Sequence, residues 1–537
     1  MKKSILIYFI LTSYLYSTQE IKLSWLNQKP KSFAKDFYIW RYLDQDITPQ
    51  EAKEALSGVR YLNNKILYRY INRSNDEVLK EYKRCKQAKT KDLIDKEGWC
   101  IEAGLSLYDA TKLPKKDLNS VIIKVETDYK DFAKRLKILA ANNKFDRLVN
   151  SDLKTFFGTF NQVGSRYRVK YFNHLLPKKF ITKLKYPKFK KDFIQTIKLI
   201  VTNQNMDKIQ KSLLDISPEG IGYRGVFFLA INAIKHNNIE QALVYLEDAY
   251  SKAYYKMEQD NVTFWQYQLT KDKKYLDLLG ASWDTNIYTL YALEILNKKP
   301  KNIFFNIDQN NNTTRYDIKD PFSWLKVLKD TKKIDKEKLD HYKEIFTTKD
   351  TLGHLAFLYE RYDRYKKSYF VLPFEKYMKS YTINRKALIY ALGRQESRFI
   401  PSSISSSYAQ GVMQIMPFLS KALAKQLNEP YNIDMQFDPK TNIKYASKHL
   451  NYLTSQLHNP LFIAYAYNGG IGFTKRLLKN SLFKDKKYEP YLSMELVNYD
   501  ESRKYGKKVL ANYFIYYNYL NRKKIKFSTL IKGITNI

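Results

Sequence analysis

Residues 225–250 read GVFFLAINAIKHNNIEQALVYLEDAY, a pattern that predicts two helices joined by a turn. An apolar run ends at the polar break His236-Asn237-Asn238. The second half then places apolar side chains on one helix face, at Ile239, Ala242, Leu243, Leu246, Ala249 and Tyr250. Two such helices form an αα-hairpin, and amphipathic stretches of this kind recur between residues 20 and 310. Stacked hairpins bury their apolar faces against their neighbours, so this region is predicted to be an αα-superhelix.

The composition favours the same fold class for the rest of the chain. The 537 residues are 44% hydrophobic and 27% charged, which excludes a disordered chain and a multi-span membrane protein. Only 17 residues are Gly and 15 are Pro, about 3% each, against a usual roughly 7% and 5%. Many-stranded sandwiches and barrels need glycine-rich turns, so an all-α protein is predicted.

The N-terminus has the pattern of an export signal. Lysines at positions 2 and 3 precede an apolar run from residue 4 to 16, and Ser17 is small enough to precede a cleavage site. The run is too short to span a bilayer, so residues 1–17 are predicted to be a signal peptide of a periplasmic protein without stable membrane insertion. The alternative is an ordinary buried N-terminal helix.

Cys85 and Cys100 are the only cysteines of the chain. In an oxidising compartment a single pair can form a disulfide, although two independent buried thiols remain the alternative. Neither cysteine belongs to a CxxC motif, and the six histidines have no metal-ligand spacing. A metal site is therefore not predicted.

Changes of composition divide the remainder of the chain. A polar, low-complexity stretch at 308–314 marks the end of the superhelical domain, assigned to residues 18–310. A smaller helical linker domain is expected over 311–366. A catalytic domain is expected over 367–537, because the segment from 390 to 475 is rich in the Ser, Gly, Gln, Asn and Tyr residues typical of active-site loops.

Glu396 is the candidate general acid. It follows the apolar helix predicted over 387–392, and Pro401 ends that segment soon afterwards. A carboxyl group beside apolar side chains has its charged form disfavoured, which raises its pKa toward that of a working acid. A glutamate at a helix end is by itself more often solvated surface, so the assignment depends on the residues around it.

The segments around Glu396 resemble the signature of the soluble lytic murein transglycosylases in order and spacing. They are ESRFIP at 396–401, Ser405, AQGVMQIMP at 409–417, FDPKTNI at 437–443, AYNGG at 466–470 and DESRKY at 500–505, followed by VL at 509–510. The resemblance covers residues 369–520. It implies a lysozyme-like helical catalytic domain that follows an N-terminal superhelix curled into a ring, and it implies no cofactor.

The resemblance also implies the substrate and the reaction. The substrate is peptidoglycan, cut at the β-1,4 bond between N-acetylmuramic acid and N-acetylglucosamine. Ordinary glycoside hydrolysis uses two carboxylates, whereas the matching motifs supply one at the reaction centre. The family uses the C6 hydroxyl of the muramic sugar as nucleophile and leaves a 1,6-anhydro end without consuming water.

The roles of individual residues follow from the motif positions that they match. Glu396 is the acid and then the base. The residues that match substrate-binding positions are Ser405, Gln414 and Met416 along the saccharide cleft, Tyr467 and Asn468 beside the acid, and Glu501 as a second cleft carboxylate.

The chain departs from the family pattern at four positions. Tyr408 occupies a usual glycine position, where its ring is expected to reshape the loop beside the cleft. Gly469 replaces alanine, Ser502 replaces threonine and Gly506 replaces valine. None of these changes affects the acid.

Two rival functions use the same features differently. A goose-type-like lysozyme would hydrolyse the same bond, and an exported helical scaffold would bind peptidoglycan without cutting it. The net charge of +39 attracts polyanions, or it reflects composition alone. Nucleic-acid binding conflicts with the export signal and has no recognised motif here.

Overall fold

The computed structural model describes residues 20–535, apart from residues 185–186, 310–311, 313–314 and 481. The predicted signal peptide, residues 1–17, lies outside the described residues. Within the described part of the chain, no helix combines the length and apolar character needed to cross a membrane.

The hairpin predicted from residues 225–250 is present as α17, Tyr223–Lys235, and α18, Ile239–Lys252, which pack against each other. Asn238 ends the turn by capping α18, since its side-chain oxygen accepts a hydrogen bond from the backbone of Gln241. The buried face of α18 differs from the predicted face in its tyrosine. Tyr250 is exposed, whereas Tyr245 is buried because its hydroxyl reaches the backbone oxygens of the segment 214–216.

The N-terminal region consists of helices that pack mainly on their neighbours in sequence. Besides α17 and α18 they are α1 Leu23–Asn27, α2 Phe33–Tyr42, α3 Pro49–Ser57, α4 Asn64–Arg73, α5 Glu77–Gln87, α6 Thr90–Leu93, α7 Gly98–Gly104, α8 Leu107–Ala110, α9 Lys115–Val125, α10 Lys130–Ala140, α11 Lys144–Val149, α12 Leu153–Phe160, α13 Ser165–Phe172, α14 Lys178–Leu184, α15 Lys190–Val201, α16 Asp207–Lys211, α19 Lys256–Thr270, α20 Lys273–Gly280 and α21 Ile287–Ile295, with a 3-10 helix at Pro187–Phe189. A disulfide joins Cys85 of α5 to Cys100 of α7.

A smaller helical unit follows and has its own apolar core around Trp324, Phe346 and Leu358. Its helices are α22 Pro321–Asp330, α23 Lys336–Ile345 and α24 Leu352–Tyr362, with a 3-10 helix at Thr331–Lys333. Two short parallel strands, β1 Ile303–Phe304 and β2 Ser368–Tyr369, pair on either side of this unit in the sequence. This strand pairing brings the start and the end of the small helical unit close together.

The C-terminal region is also helical. It consists of α25 Ile383–Glu396, α26 Pro417–Gln426, α27 Pro439–Gln456, α28 Pro460–Gly469, α29 Ile471–Lys479, α30 Tyr491–Glu495, α31 Asp500–Leu520 and α32 Phe527–Lys532, with 3-10 helices at Glu375–Tyr377 and Ile433–Phe437. The long helix α31 packs against both α25 and α28. The predicted all-α class is confirmed, since the described residues contain β1 and β2 as their only strands.

The start of the chain packs against the C-terminal region. One apolar cluster combines Phe37 and Ile66 of the first helices with Tyr408 and Phe437. At its edge, Arg41 makes a two-pronged ion pair with Asp434, at 2.6 and 3.0 Å. Such paired hydrogen bonds fix orientation as well as distance.

The second half of the superhelix contacts the first turn of α31. Lys198 of α15, Arg224 of α17 and Arg503 of α31 all form ion pairs with Asp500. Further along α31, Lys507 pairs with Glu495 at 2.8 Å, and the Tyr288 hydroxyl of α21 donates to the same carboxylate at 2.6 Å. The superhelix therefore contacts the C-terminal region with its first helices and again with α15, α17 and α21.

Candidate active site

Glu396 is the last residue of α25, a helix whose preceding residues are buried. Thr382 caps the start of α25, and every residue from 387 to 394 is buried. After Glu396 the chain turns sharply, because Ser397 donates its hydroxyl to the backbone oxygen of Val412 and accepts from the backbone of Ile400. The helix end and the following loop are thereby fixed to each other.

The Glu396 carboxyl group is largely enclosed by protein. Burial raises its pKa to about 7, and the negative charge of Glu501 acts in the same direction. The Tyr505 hydroxyl donates a hydrogen bond of 2.5 Å to Glu396 Oε1, which partly opposes this rise. A carboxyl group with these properties exchanges a proton readily near neutral pH.

The loop from 402 to 416 is built around Asn442, which is fully buried on α27. Its side-chain oxygen accepts from the backbone of Met413 at 2.7 Å, and its amide donates to the backbone oxygen of Gln410. Gly411 has a φ of +79°, and a β-carbon there would lie 2.2 Å from the Gln436 backbone oxygen. Only glycine fits this close approach.

Three predicted cleft residues lie in this loop or at its end. Ser405 is half-buried, and its hydroxyl oxygen accepts hydrogen bonds from the backbones of Ser407 and Ala409. Gln414 donates its amide to the backbone oxygens of Ser403 and Gly411. Met416 is half-buried at the N-cap of α26. The polar contacts of Ser405 and Gln414 shape the loop itself.

The other predicted residues meet near Glu396. Tyr467 donates its hydroxyl to the Met413 backbone oxygen at 2.7 Å, and the Glu396 charge helps burial to raise the pKa of this tyrosine. Asn468 joins α28 to α31, since its amide donates to Glu501 Oε1 at 2.9 Å and its oxygen accepts from Ser502. Glu501 is solvent-exposed. Helices α25, α28 and α31 thus converge on one site.

Tyr505 also belongs to the site, although motif matching within the quoted DESRKY segment does not single it out. It is buried on α31 and contacts the acid directly. A usable signal was present, because Tyr505 lies four residues after Glu501 and residues at this spacing share a helix face.

Tyr408 does not act as expected from the sequence. Its ring is 1% exposed and packs 5.9 Å from Phe37 and 5.3 Å from Trp40, in the cluster formed with the start of the chain. Its hydroxyl accepts a hydrogen bond from the Asn63 amide at 2.9 Å. The backbone keeps a φ of +70°, the conformation for which glycine is usual, so aromatic packing offsets the strain of a bulky residue there.

Two of the other departures are explained by their neighbours. A β-carbon at position 506 would lie 2.1 Å from the ring of Tyr465, which is fully buried and fills the space beside α31. A β-carbon at 469 would lie 2.8 Å from both Phe473 and Ser502. Glycine at both positions follows from the larger side chains packed against them.

Asp438 acts as a helix cap: its carboxylate accepts from the backbone of Thr441 in the first turn of α27. In the described part of the chain, no three His, Cys, Asp or Glu side chains are grouped in a way that would hold a metal ion.

The region that carries Glu396 and its loop matches a known protein family. Residues 373–490 match the transglycosylase SLT domain. The SLT match includes α25 to α29 and ends before α31, which supplies Glu501 and Tyr505. It covers Glu396 and most of the quoted motifs.

Curated relatives match the same part of the chain. The soluble lytic murein transglycosylase of Escherichia coli strain K12 is 34% identical over 156 residues, 28% of this chain and 24% of that protein. A putative soluble lytic murein transglycosylase of Haemophilus influenzae is 33% identical over 141 residues, 26% of this chain and 23% of that protein. The chain spans about a quarter of the length of the curated relatives it matches. These matches confirm the resemblance that the motifs indicate.

Solved structures align over more of the chain at lower identity. The alignment with the lytic transglycosylase Slt of Pseudomonas aeruginosa covers 92% of this chain and 88% of that chain, with a TM-score of 0.48 and 15% sequence identity. The alignment with the 70 kDa soluble lytic transglycosylase of Escherichia coli covers 95% of this chain and 89% of that chain, with a TM-score of 0.47 and 17% sequence identity.

Proposed function

We propose that this protein is a peptidoglycan lytic transglycosylase that cuts the β-1,4 bond between N-acetylmuramic acid and N-acetylglucosamine and leaves 1,6-anhydro ends. The observation that carries the proposal is the enclosed Glu396 carboxyl group, whose pKa is raised to about 7 inside a region similar to the SLT domain. The proposed substrate is the glycan strand of the cell wall.

Glu396 performs both proton transfers in the proposed reaction. Protonated Glu396 gives its proton to the glycosidic oxygen as the bond from the muramic C1 to that oxygen breaks. The resulting carboxylate then accepts the proton of the muramic C6 hydroxyl as its oxygen bonds to C1. The acid is restored and water is not consumed. The Tyr505 hydroxyl stabilises the carboxylate between the two steps through its short hydrogen bond.

The neighbouring residues are proposed to hold the saccharide. Glu501 is the second carboxylate, and its negative charge favours the positive charge that develops at C1. Tyr467 and Asn468 position the helix ends around the acid through their bonds to Met413 and Glu501. Ser405, Gln414 and Met416 are proposed to line the remainder of the saccharide cleft.

The proposal is tested with Glu396→Gln on purified sacculi. An amide of the same shape cannot give up a proton as an acid, and loss of general acid–base catalysis costs about 10²–10⁴-fold in rate. Because one group serves both steps, we expect a loss at the upper end of that range. Glu375→Gln, at an exposed position of the same domain, is the control with the same change of charge.

Mass spectrometry of the soluble products distinguishes the rival functions. Anhydro ends released by the wild type and by Glu375→Gln are the expected outcome. Reducing muramic ends would identify a hydrolytic lysozyme, and binding of sacculi without products would identify a scaffold. Activity in Glu396→Gln close to that of the wild type would place the acid elsewhere.

The proposed site of action is the periplasm, reached through the predicted signal peptide at residues 1–17. We also propose the division into a superhelical domain at 18–310, a linker domain at 311–366 and a catalytic domain at 367–537. Support comes from the separate core around Trp324 and from the pairing of β1 with β2 on either side of it.

A further inference from the structure

A cavity of about 890 Å³ lies where the superhelix, the small helical unit and the C-terminal region meet. Its wall combines residues 254–258 and 283–288 of the superhelix, the segment 360–370, and side chains of α25 and α31. Glu396 is not part of this wall, although its neighbours Gln395 and Arg398 are. The volume is within the range of roughly 300–1,000 Å³ usual for small-molecule sites.

The cavity has a surplus of positive charge. Eight of its lining residues are Lys or Arg, and three are Asp or Glu. Six of these cations are ion-paired: Arg394 and Arg398 with Glu360, Lys507 with Glu495, Lys256 with Asp260, Lys367 with Asp363 and Lys504 with Glu258. Counting the partners that lie outside the wall as well, eight cations face six carboxylates, so the wall keeps a net charge of about +2.

Arg364 and Lys508 are the lining residues whose charged side chains form no ion pair or hydrogen bond with any described residue. Lys508 lies on α31 and is solvent-accessible. Partial desolvation of its ammonium group by the surrounding protein lowers its pKa, the charges of Arg398 and Lys504 lower it further, and Asp284 opposes them. Arg364 sits in a tight turn after α24, where it and Tyr365 have left-handed φ values of 51° and 61°. A bound anion would relieve the repulsion among these cations.

Aromatic surfaces line the same cavity and remain accessible. Tyr254 is 85% exposed, Tyr365 47% and Trp283 39%. Exposed aromatic rings beside unpaired cations can bind a ligand that combines carboxylates with apolar groups. The cations pair with the carboxylates, and the rings pack on the apolar groups.

We propose that this cavity is a second binding site, separate from the cleft, for carboxylate-bearing peptides of the kind that branch from peptidoglycan strands. The choice of peptide carboxylates among anions rests on the proposed function, since that polymer is the proposed substrate. Helices α25 and α31 border both places: Tyr505 contacts the acid, while Lys504 and Lys508 face the cavity. A strand cut in the cleft would be held by its peptide branch here.

The test measures binding of a synthetic stem tetrapeptide to the full chain by calorimetry. The variant Arg364→Gln combined with Lys508→Gln removes two charges without breaking a contact in the described structure. The control, Lys379→Gln combined with Lys440→Gln, removes two exposed charges outside the cavity. We expect the cavity variant to bind at least tenfold more weakly than the wild type, and the control to bind like the wild type.

A second arm uses the wild type alone, with the same peptide after amidation of its carboxylates. Amidation is expected to weaken binding at least tenfold. Equal binding by the cavity and control variants, no binding of the peptide to the wild type, or binding of inorganic phosphate in its place would overturn the proposal. Each of these results leaves the Glu396 experiment unaffected, because anhydro ends are measured without reference to peptide affinity.

Discussion

The pH dependence of the proposed activity follows from Glu396. Its protonated form is the active one, and its pKa of about 7 means that this form declines above neutrality, tenfold per pH unit. We expect kcat/KM on a soluble glycan to fall with an apparent pKa near 7. Removing the charge of Glu501 with Glu501→Gln should move that fall to lower pH, because the Glu501 charge raises the Glu396 pKa.

Glu375→Gln is again the control for this profile, and its midpoint should equal that of the wild type. A midpoint that does not move in Glu501→Gln would show that the two carboxyl groups are electrostatically independent. The measurement requires rates between about pH 5 and pH 9 at constant ionic strength, since salt screens charge–charge interactions.

Glu396 also affects stability. Its folded-state pKa, about 7, lies above the value of 4.5 for an unperturbed glutamate, so the folded state binds this proton more tightly. The stabilisation is complete below pH 4.5 and is lost as the pH rises through 7. Glu396→Gln removes this loss, so at pH 8 we expect the unfolding free energy of the variant to exceed that of the wild type by on the order of 3 kcal/mol.

Urea denaturation at pH 5 and pH 8 provides the check. The difference between the variant and the wild type should be larger at pH 8 than at pH 5, whereas Glu375→Gln should show no such trend. An equal difference at both pH values would contradict the raised pKa.

At the scale of elements, Tyr408 attaches the first helices to the C-terminal region. Tyr408→Ala removes the ring that packs on Phe37 and Trp40. Truncation of buried aromatic residues usually costs about 3–5 kcal/mol. We expect that loss to appear locally, as faster hydrogen exchange in residues 21–66, while the hairpin of α17 and α18 keeps its protection.

Tyr408→Phe is the matched control, since it keeps the ring and loses only the hydrogen bond from Asn63. Its exchange should stay close to that of the wild type. Uniformly faster exchange across the chain in Tyr408→Ala would show that the contact supports global stability and is not a local attachment.

The sequence predicted elements better than contacts between distant elements. The α17–α18 hairpin and the helix ending at Glu396 follow from periodicity and polar breaks, which are local properties. The burial of Tyr245 and the location of Tyr408 depend on segments far away in the sequence, at 214–216 and at Phe37. Periodicity within one helix carries no information about such partners.

The site shows the same division. Motif positions predict Glu396 as the candidate acid with Tyr467, Asn468 and Glu501 around it, and the structure brings these four residues together. Motif positions do not single out Tyr505, which hydrogen-bonds Glu396 directly. Its role depends on how α31 crosses α25, a packing geometry that residue spacing alone does not determine.

At the scale of the whole molecule, the net charge of +39 is expected to act on the polymer. Basic residues attract the peptide carboxylates of sacculi, and salt limits that attraction to about 8 Å at 0.15 M. Binding of Glu396→Gln to purified sacculi in a sedimentation assay should therefore weaken as salt rises from low to high concentration.

Chitin, an uncharged polysaccharide, is the control polymer for this measurement, and binding to it should depend little on salt. Binding to sacculi that is the same at low and high salt would show that the positive charge reflects composition and has no part in substrate capture.

The buried contact among Lys507, Glu495 and Tyr288 limits how modular this protein can be. The ion pair belongs to the C-terminal region, but the tyrosine that completes it comes from the superhelix. Removing one member of a buried charged group leaves the others incompletely solvated, usually at a cost of several kcal/mol. A chimera that joins this C-terminal region to another protein's superhelix would therefore need a tyrosine at the equivalent of position 288, or replacement of the ion pair by apolar residues.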